Sequence, residues 1–195
     1  LDQALKFDPN YVDAYNNRGF AALQAGHFDA ALADFNTAMK INPKYVNAYN
    51  NRGTALDATA EFDRAVADFN KAIALDPGNA GYFDNRGNVW LHKGRFDRAL
   101  ADYDKAISLA PDFALAYFNR SQTHYLAGRF GAALADASKA AALDARSANA
   151  LSLRGLAHEK LGRREAAIAD FRRALALDPS LPQPADALRR LSAAP

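Results

Sequence analysis

Two ladders of side chains capable of specific chemistry run through the chain at a constant step of 34 residues. The first is made of amides: Asn17, Asn51, Asn85 and Asn119, with Leu153 in the fifth place. A primary amide carries a donor and an acceptor side by side. Each can therefore bond one peptide unit bidentately without reading the side chain attached to it. The alternative use of the same amides is to bond neighbouring helices or water. The second ladder is ionic, with Arg18, Arg52, Arg86, Arg120 and Arg154 at one place and Asp34, Asp68, Asp102, Asp136 and Asp170 at another. Arginine and aspartate pair through two parallel bonds. Arg18 shares a helical stripe with Ala14, Ala21 and Ala22, which puts its guanidinium partly inside, where a charge requires a partner. An internal brace is the expected role, and a row of arginines open to an acidic ligand is the alternative.

The elements that carry these ladders repeat with them. Tyr15–Gly19 reads Tyr-Asn-Asn-Arg-Gly and returns intact at Tyr49–Gly53; altered forms stand at Phe83–Gly87, Tyr117–Ser121 and Leu151–Gly155. Glycines at Gly26, Gly94, Gly128 and Gly162 keep the same step, with Ala60 in the missing place, as do prolines at Pro9, Pro43, Pro77, Pro111 and Pro179. Aromatics occupy Phe35, Phe69, Tyr103 and Phe171, with Ala137 as the exception. A fixed period of this length means one supersecondary unit stacked on itself, so that function lies on an extended surface. Helical spacing of the small and apolar residues predicts first helices near 11–25, 45–59, 79–93, 113–127 and 147–161. Second helices are predicted near 28–41, 62–75, 96–109, 130–143 and 164–177. Gly26 ends the first helix, Asp29 caps or favours the next, and Asn42 before Pro43 stops it.

Glycine in an early turn, small residues opposite, an aromatic four residues on and proline at the end resemble the tetratricopeptide repeat (TPR). The resemblance implies an all-α, right-handed superhelical solenoid of antiparallel helix pairs, with repeats at 12–45, 46–79, 80–113, 114–147 and 148–181. Residues 1–11 then hold the second helix of a truncated repeat, and 182–195 a capping helix. Ser121, Ala137 and Ala145 in the fourth repeat and Leu151–Leu153 in the fifth depart from the pattern.

The family also implies that first helices line a concave groove. Neighbouring helices ~8–10 Å apart and an extended peptide rising ~3.3 Å per residue allow one rung to meet about every third ligand residue. The asparagines are similar to the ladder in the TPR groove of O-linked N-acetylglucosamine transferases. At ~1 kcal/mol per bond, less the cost of ordering the peptide, affinity is expected to be micromolar or weaker. Beside the ladder stand Asn16, Asn50, Asp84 and Asn88 early on, and Leu115, Phe118, Gln122, Leu153 and Leu156 later. The expected ligand is an extended segment, polar or basic at one end and apolar at the other. The lysines of a clamp for acidic C-termini are missing from the groove places, which hold Asp13, Asn16, Asn47, Asn50 and Asn85.

Composition narrows the remaining classes. A net charge of +2 argues against a nucleic-acid binder, although from Arg146 onward there are nine basic and five acidic residues. No apolar run approaches the ~20 residues of a membrane span. Zero cysteines fit a cytoplasm and a bacterial periplasm alike, so the compartment is not read from the sequence, with the cytoplasm favoured over the periplasm. No metal-ligand spacing, nucleophile set or phosphate loop stands out, so no cofactor and no catalysis are expected. The sequence therefore predicts a non-enzymatic protein-interaction scaffold of bacterial type that binds protein or peptide. Two alternatives are a substrate-recruiting array within a larger enzyme and a self-assembling adaptor. The latter would form homo-oligomers through the uncapped N-terminal helix or the groove.

Overall fold

In a computed structural model the described residues are 2–193, which form twelve helices and no strand. Leu1 and residues 194–195, parts of the expected first and last segments, lie outside them. The helices are α1 Asp2–Phe7, α2 Val12–Gln24, α3 Phe28–Ile41, α4 Val46–Ala58, α5 Phe62–Leu75, α6 Ala80–His92, α7 Phe96–Leu109, α8 Ala114–Leu126, α9 Phe130–Leu143, α10 Ala148–Lys160, α11 Arg164–Leu177 and α12 Pro182–Ala193. Each of the five first helices is one residue shorter at both ends than the sequence predicts, and the five second helices have the predicted limits. Asp29 does not cap α3: His27 occupies that place without a side-chain bond, and Asp29 sits in the first turn, where its charge favours the helix dipole.

The chain divides into two compact units, one ending at Gly94 and the other beginning at Arg95. In the first unit α2/α3 and α4/α5 are antiparallel hairpins, with α1 against α2 and α6 against α5. In the second, α8/α9 and α10/α11 are hairpins, α7 packs on α8, and α12 lies on α11. Small residues set the closeness of the hairpins. Ala31, Ala65, Ala133 and Ala167 are fully buried. A Cβ on Gly19 would lie 2.8 Å from the ring of Phe35, one on Gly53 2.9 Å from Phe69, and one on Gly155 2.6 Å from Phe171. Those distances are too short for any side chain, so glycine is what admits the aromatic.

The fourth repeat solves the same contact differently. Ser121 stands in the glycine place and Ala137 in the aromatic one, both buried, and the Ser121 hydroxyl donates to the Ala133 carbonyl at 2.7 Å. Two departures from the sequence pattern are therefore one exchange of partners.

Each first helix of a hairpin ends in a left-handed residue. Gly26 has φ 75°, and the His27 amide donates back to the Ala22 carbonyl at 2.9 Å. Ala60 adopts φ 59° at the equivalent place, a conformation that costs a residue with a Cβ roughly 1–2 kcal/mol. Ala60→Gly is expected to stabilise by about 0.5–1 kcal/mol after the added freedom of the unfolded chain is subtracted. A urea midpoint that fell instead would show that the surrounding loop prefers alanine.

At the other end, Ala187, Leu188 and Leu191 of α12 pack against Phe171 and Leu156. Arg190 binds Glu159 through both carboxylate oxygens at 2.6 and 2.8 Å, and Arg164 donates to the Leu191 carbonyl.

Candidate functional site

The amide ladder of the first unit is a bonded chain. Asn51 Nδ2 donates to Asn16 Oδ1 at 3.0 Å, and Asn85 Nδ2 donates to Asn50 Oδ1 at 2.9 Å. Within each doublet the first asparagine donates to the second, Asn16 to Asn17 at 3.4 Å and Asn50 to Asn51 at 3.2 Å. The result runs Asn85–Asn50–Asn51–Asn16–Asn17 across α6, α4 and α2. Asn16 is buried, Asn50, Asn51, Asn85 and Asn88 are half-buried, and Asn17 is exposed. Asp84 takes the place of Asn16 and Asn50 in the third repeat and is 1% exposed. Sequence reading separated the rungs from their neighbours. The adjacent Asn-Asn doublets were the available signal, because residues 35 apart face each other on neighbouring first helices.

The acidic neighbours of this face are engaged. Tyr45 donates its hydroxyl to Asp13 Oδ1 at 2.5 Å, and His92 Nδ1 lies 2.8 Å from Asp57 Oδ1. Burial first, then the Asp13 carboxylate, pushes the Tyr45 phenol above its usual value.

In the second unit Asn119 is buried. Phe118 and the exposed Gln122 line a shallow recess with Asn149, Ser152, Leu153, Leu156 and Gln183. Of the residues expected at an apolar groove end, Phe118, Leu153 and Leu156 border this recess and Leu115 does not, and Gln183 brings α12 to its edge.

Beneath both faces lie the arginines. Arg18 meets Asp34 through Nε and Nη2 at 2.8 and 2.7 Å. Arg52 meets Asp68 at 2.7 and 2.6 Å, Arg120 meets Asp136 at the same two distances, and Arg154 meets Asp170 at 2.7 and 2.5 Å. A third nitrogen reaches the preceding second helix within each unit, from Arg52 to Asn36 at 2.5 Å, Arg86 to Asn70 at 2.6 Å and Arg120 to Asp104 at 2.6 Å. The bond to aspartate raises the pKa of Arg52, Arg120 and Arg154 against the opposing effect of burial. An aromatic three residues earlier covers the guanidinium, at 5.6 Å for Arg18 over Tyr15 and 5.5 Å for Arg120 over Tyr117. These four pairs are internal braces.

Two histidines touch the same braces in the second unit. His124 Nε2 lies 3.9 Å from Asp136, and His158 Nε2 lies 3.9 Å from Asp170. Their Nδ1 atoms are buried without a hydrogen-bond partner. Burial lowers both pKa values; the aspartates oppose it, while Arg120 and Arg129 beside His124, and Arg154 and Arg163 beside His158, add to it. The unfolded chain therefore takes up these protons first. Stability is complete above the ordinary histidine value of about 6.5 and declines as pH falls below it. His124→Leu/His158→Leu, which installs the residue found at the equivalent Leu56, should reduce the drop in urea midpoint between pH 7.5 and pH 5.5. An unchanged drop would assign it to other groups.

No group of histidines, cysteines and carboxylates suited to a metal ion occurs among the described residues, and no described helix is long and apolar enough to cross a membrane.

The tetratricopeptide repeat model matches residues 12–45, 46–79 and 148–181, together more than half of the chain. The chain belongs to the tetratricopeptide repeat family. A second TPR model matches residues 87–128. No curated protein matches the sequence. Among solved structures, PilW, a widely conserved type IV pilus biogenesis factor, superposes with a TM-score of 0.87 at 26% identity, over 96% of this chain and 87% of that one. The first TPR domain of Spaghetti, bound to an HSP90 peptide, gives 0.58 at 29% identity, over 58% of this chain and 90% of that one. YrrB, described as a TPR protein with an unusual peptide-binding site, gives 0.70 at 20% identity over 96% and 97%. The TPR solenoid fold and a protein-binding scaffold follow from these matches.

Proposed function

We propose that this TPR protein is a non-enzymatic scaffold that holds an extended peptide on its first-helix faces through Asn17, Asn51 and Asn85. The observation that carries the reading is the bonded amide chain. Asn51 and Asn85 each spend one N–H on the preceding repeat, and an NH₂ group has two. Each rung is thereby held in one orientation with a donor left over, which reduces the ordering cost that binding must meet. Asn16 and Asn50 orient the rungs, Asp84 and Asn88 lie beside Asn85, and Asn119, Phe118 and Gln122 are the candidate peptide contacts on the second unit's own first helices. A TPR domain related to this chain over part of its length binds a peptide, which supports the class of ligand.

The test is selection from a displayed library of unstructured peptides, followed by affinity measurement on variants. Asn17→Ala disturbs a single 3.4 Å bond and should weaken a selected peptide about fivefold, the equivalent of ~1 kcal/mol. Asn17→Ala/Asn51→Ala/Asn85→Ala should abolish measurable binding while the helical signal persists. Unchanged affinity in a folded triple variant would leave the amides with the inter-helix role alone.

A further inference from the structure

The second unit has a cleft at a place whose counterpart within the first unit is closed by a tyrosine. In the first unit Tyr45 caps α4 and its phenol reaches across to Asp13 on α2, closing the space between consecutive first helices at their N-terminal ends. Three repeats later the same two places hold Ser147 and Leu115. Ser147 turns its oxygen to the Ala150 amide at 3.2 Å as the cap of α10, and Leu115 is left 52% exposed. The space vacated by the tyrosine ring is a cleft of about 340 Å³ whose apolar lining includes Phe113, Leu115, Phe118 and Ala140. Among its lining residues only Asp112 and Asp144 are charged. Asp144 accepts from the Arg146 amide at 3.0 Å, and no hydrogen bond to Asp112 is seen among the described residues.

We propose that this cleft is a docking site for a peptide segment that presents one large apolar side chain flanked by lysine or arginine. The lining selects the apolar group, and burying it supplies most of the attraction. The two carboxylates at the rim select cations on either side and disfavour acidic neighbours by like-charge repulsion. A volume at the lower end of ligand-sized sites suits a single phenylalanine- or leucine-sized anchor. The site uses none of the ladder asparagines and shares only Phe118 with the proposed peptide-binding residues, and its position follows from serine in place of tyrosine at residue 147.

The experiment is an amide chemical-shift titration of the isotopically labelled protein at low salt. Three capped heptapeptides centred on Lys-Phe-Lys, Lys-Ala-Lys and Glu-Phe-Glu serve as probes. The first should give saturable shifts in the first turn of α8 and in residues 144–149. Replacing phenylalanine by alanine should weaken binding at least tenfold, and replacing the lysines by glutamates at least fivefold. Ser147→Tyr restores the residue type that the first unit already accommodates at this place, so it should fold normally and lose the Lys-Phe-Lys peptide. Asp112→Lys should move the preference towards Glu-Phe-Glu. Binding that survives Ser147→Tyr in a folded protein, or ignores the peptide charges, would overturn the proposal. So would shifts confined to Asn17, Asn51 and Asn85, a result that would leave the amide-ladder reading standing.

Discussion

Arg52→Met is expected to destabilise the protein by about 3–5 kcal/mol, the cost of removing one member of a buried ion pair. The loss falls on Asp68, whose side chain is 6% exposed and whose two oxygens both accept from Arg52. With the guanidinium gone the carboxylate must either carry its charge without a partner or take up a proton, and both are costly away from water. Asn36 loses its partner as well, but at an exposed position where water substitutes. Arg52→Met/Asp68→Leu removes both charges and should recover much of the loss, because a buried pair is often no better than well-packed apolar groups. Urea denaturation of the two single variants and the double variant gives the coupling. Additive losses would mean that the bidentate pair contributes nothing beyond its packing.

The repeated motif was legible as a motif before its parts had roles, and the reason is geometric. In Tyr-Asn-Asn-Arg-Gly the tyrosine covers the arginine three residues later, and the first asparagine bonds the following repeat. The second asparagine of the Asn50–Asn51 doublet donates to the preceding repeat, the arginine braces the hairpin, and the glycine admits the aromatic of the second helix. Period and helix limits follow from local signals, namely small-residue spacing, a left-handed glycine and a stop at Asn-Pro, and these are printed in the chain. The Arg–Asp pairing was also legible, since a hairpin turning near Gly26 brings residues 16 apart together.

What the chain conceals are relations between repeats. The Asn16–Asn51 bond depends on which way two neighbouring first helices rotate, and no sequence spacing states that. The cleft beside Ser147 was equally hidden, because one serine in a loop is unremarkable until its counterpart Tyr45 is seen to fill the same space. Composition suggested an apolar end to the groove from Leu115, Phe118 and Leu153. The structure separates these residues, with Leu115 exposed at the cleft, Leu153 buried at 7% exposure, and Phe118 bordering both recesses.

Gly155→Ser should cost about 2–3 kcal/mol, because its Cβ would lie 2.6 Å from the ring of Phe171, which is fully buried. Phe171→Ala alone should cost about 3–5 kcal/mol through the cavity it leaves. The fourth repeat shows that serine and alanine are compatible as a pair, with the hydroxyl bonded to a second-helix carbonyl. Gly155→Ser/Phe171→Ala transplants that pair into the fifth repeat. The added side chain then occupies part of the cavity instead of colliding with the ring, and its oxygen gains the chance of a bond to Ala167, the counterpart of Ala133. The double variant should therefore be more stable than the sum of the single losses allows, by about 1–3 kcal/mol. Strict additivity in urea denaturation would mean that Ser121 and Ala137 occur together in the fourth repeat for reasons other than contact. A positive coupling would make the glycine–aromatic pair one exchangeable part of the hairpin, and would explain how the fourth repeat lost both residues and kept its fold.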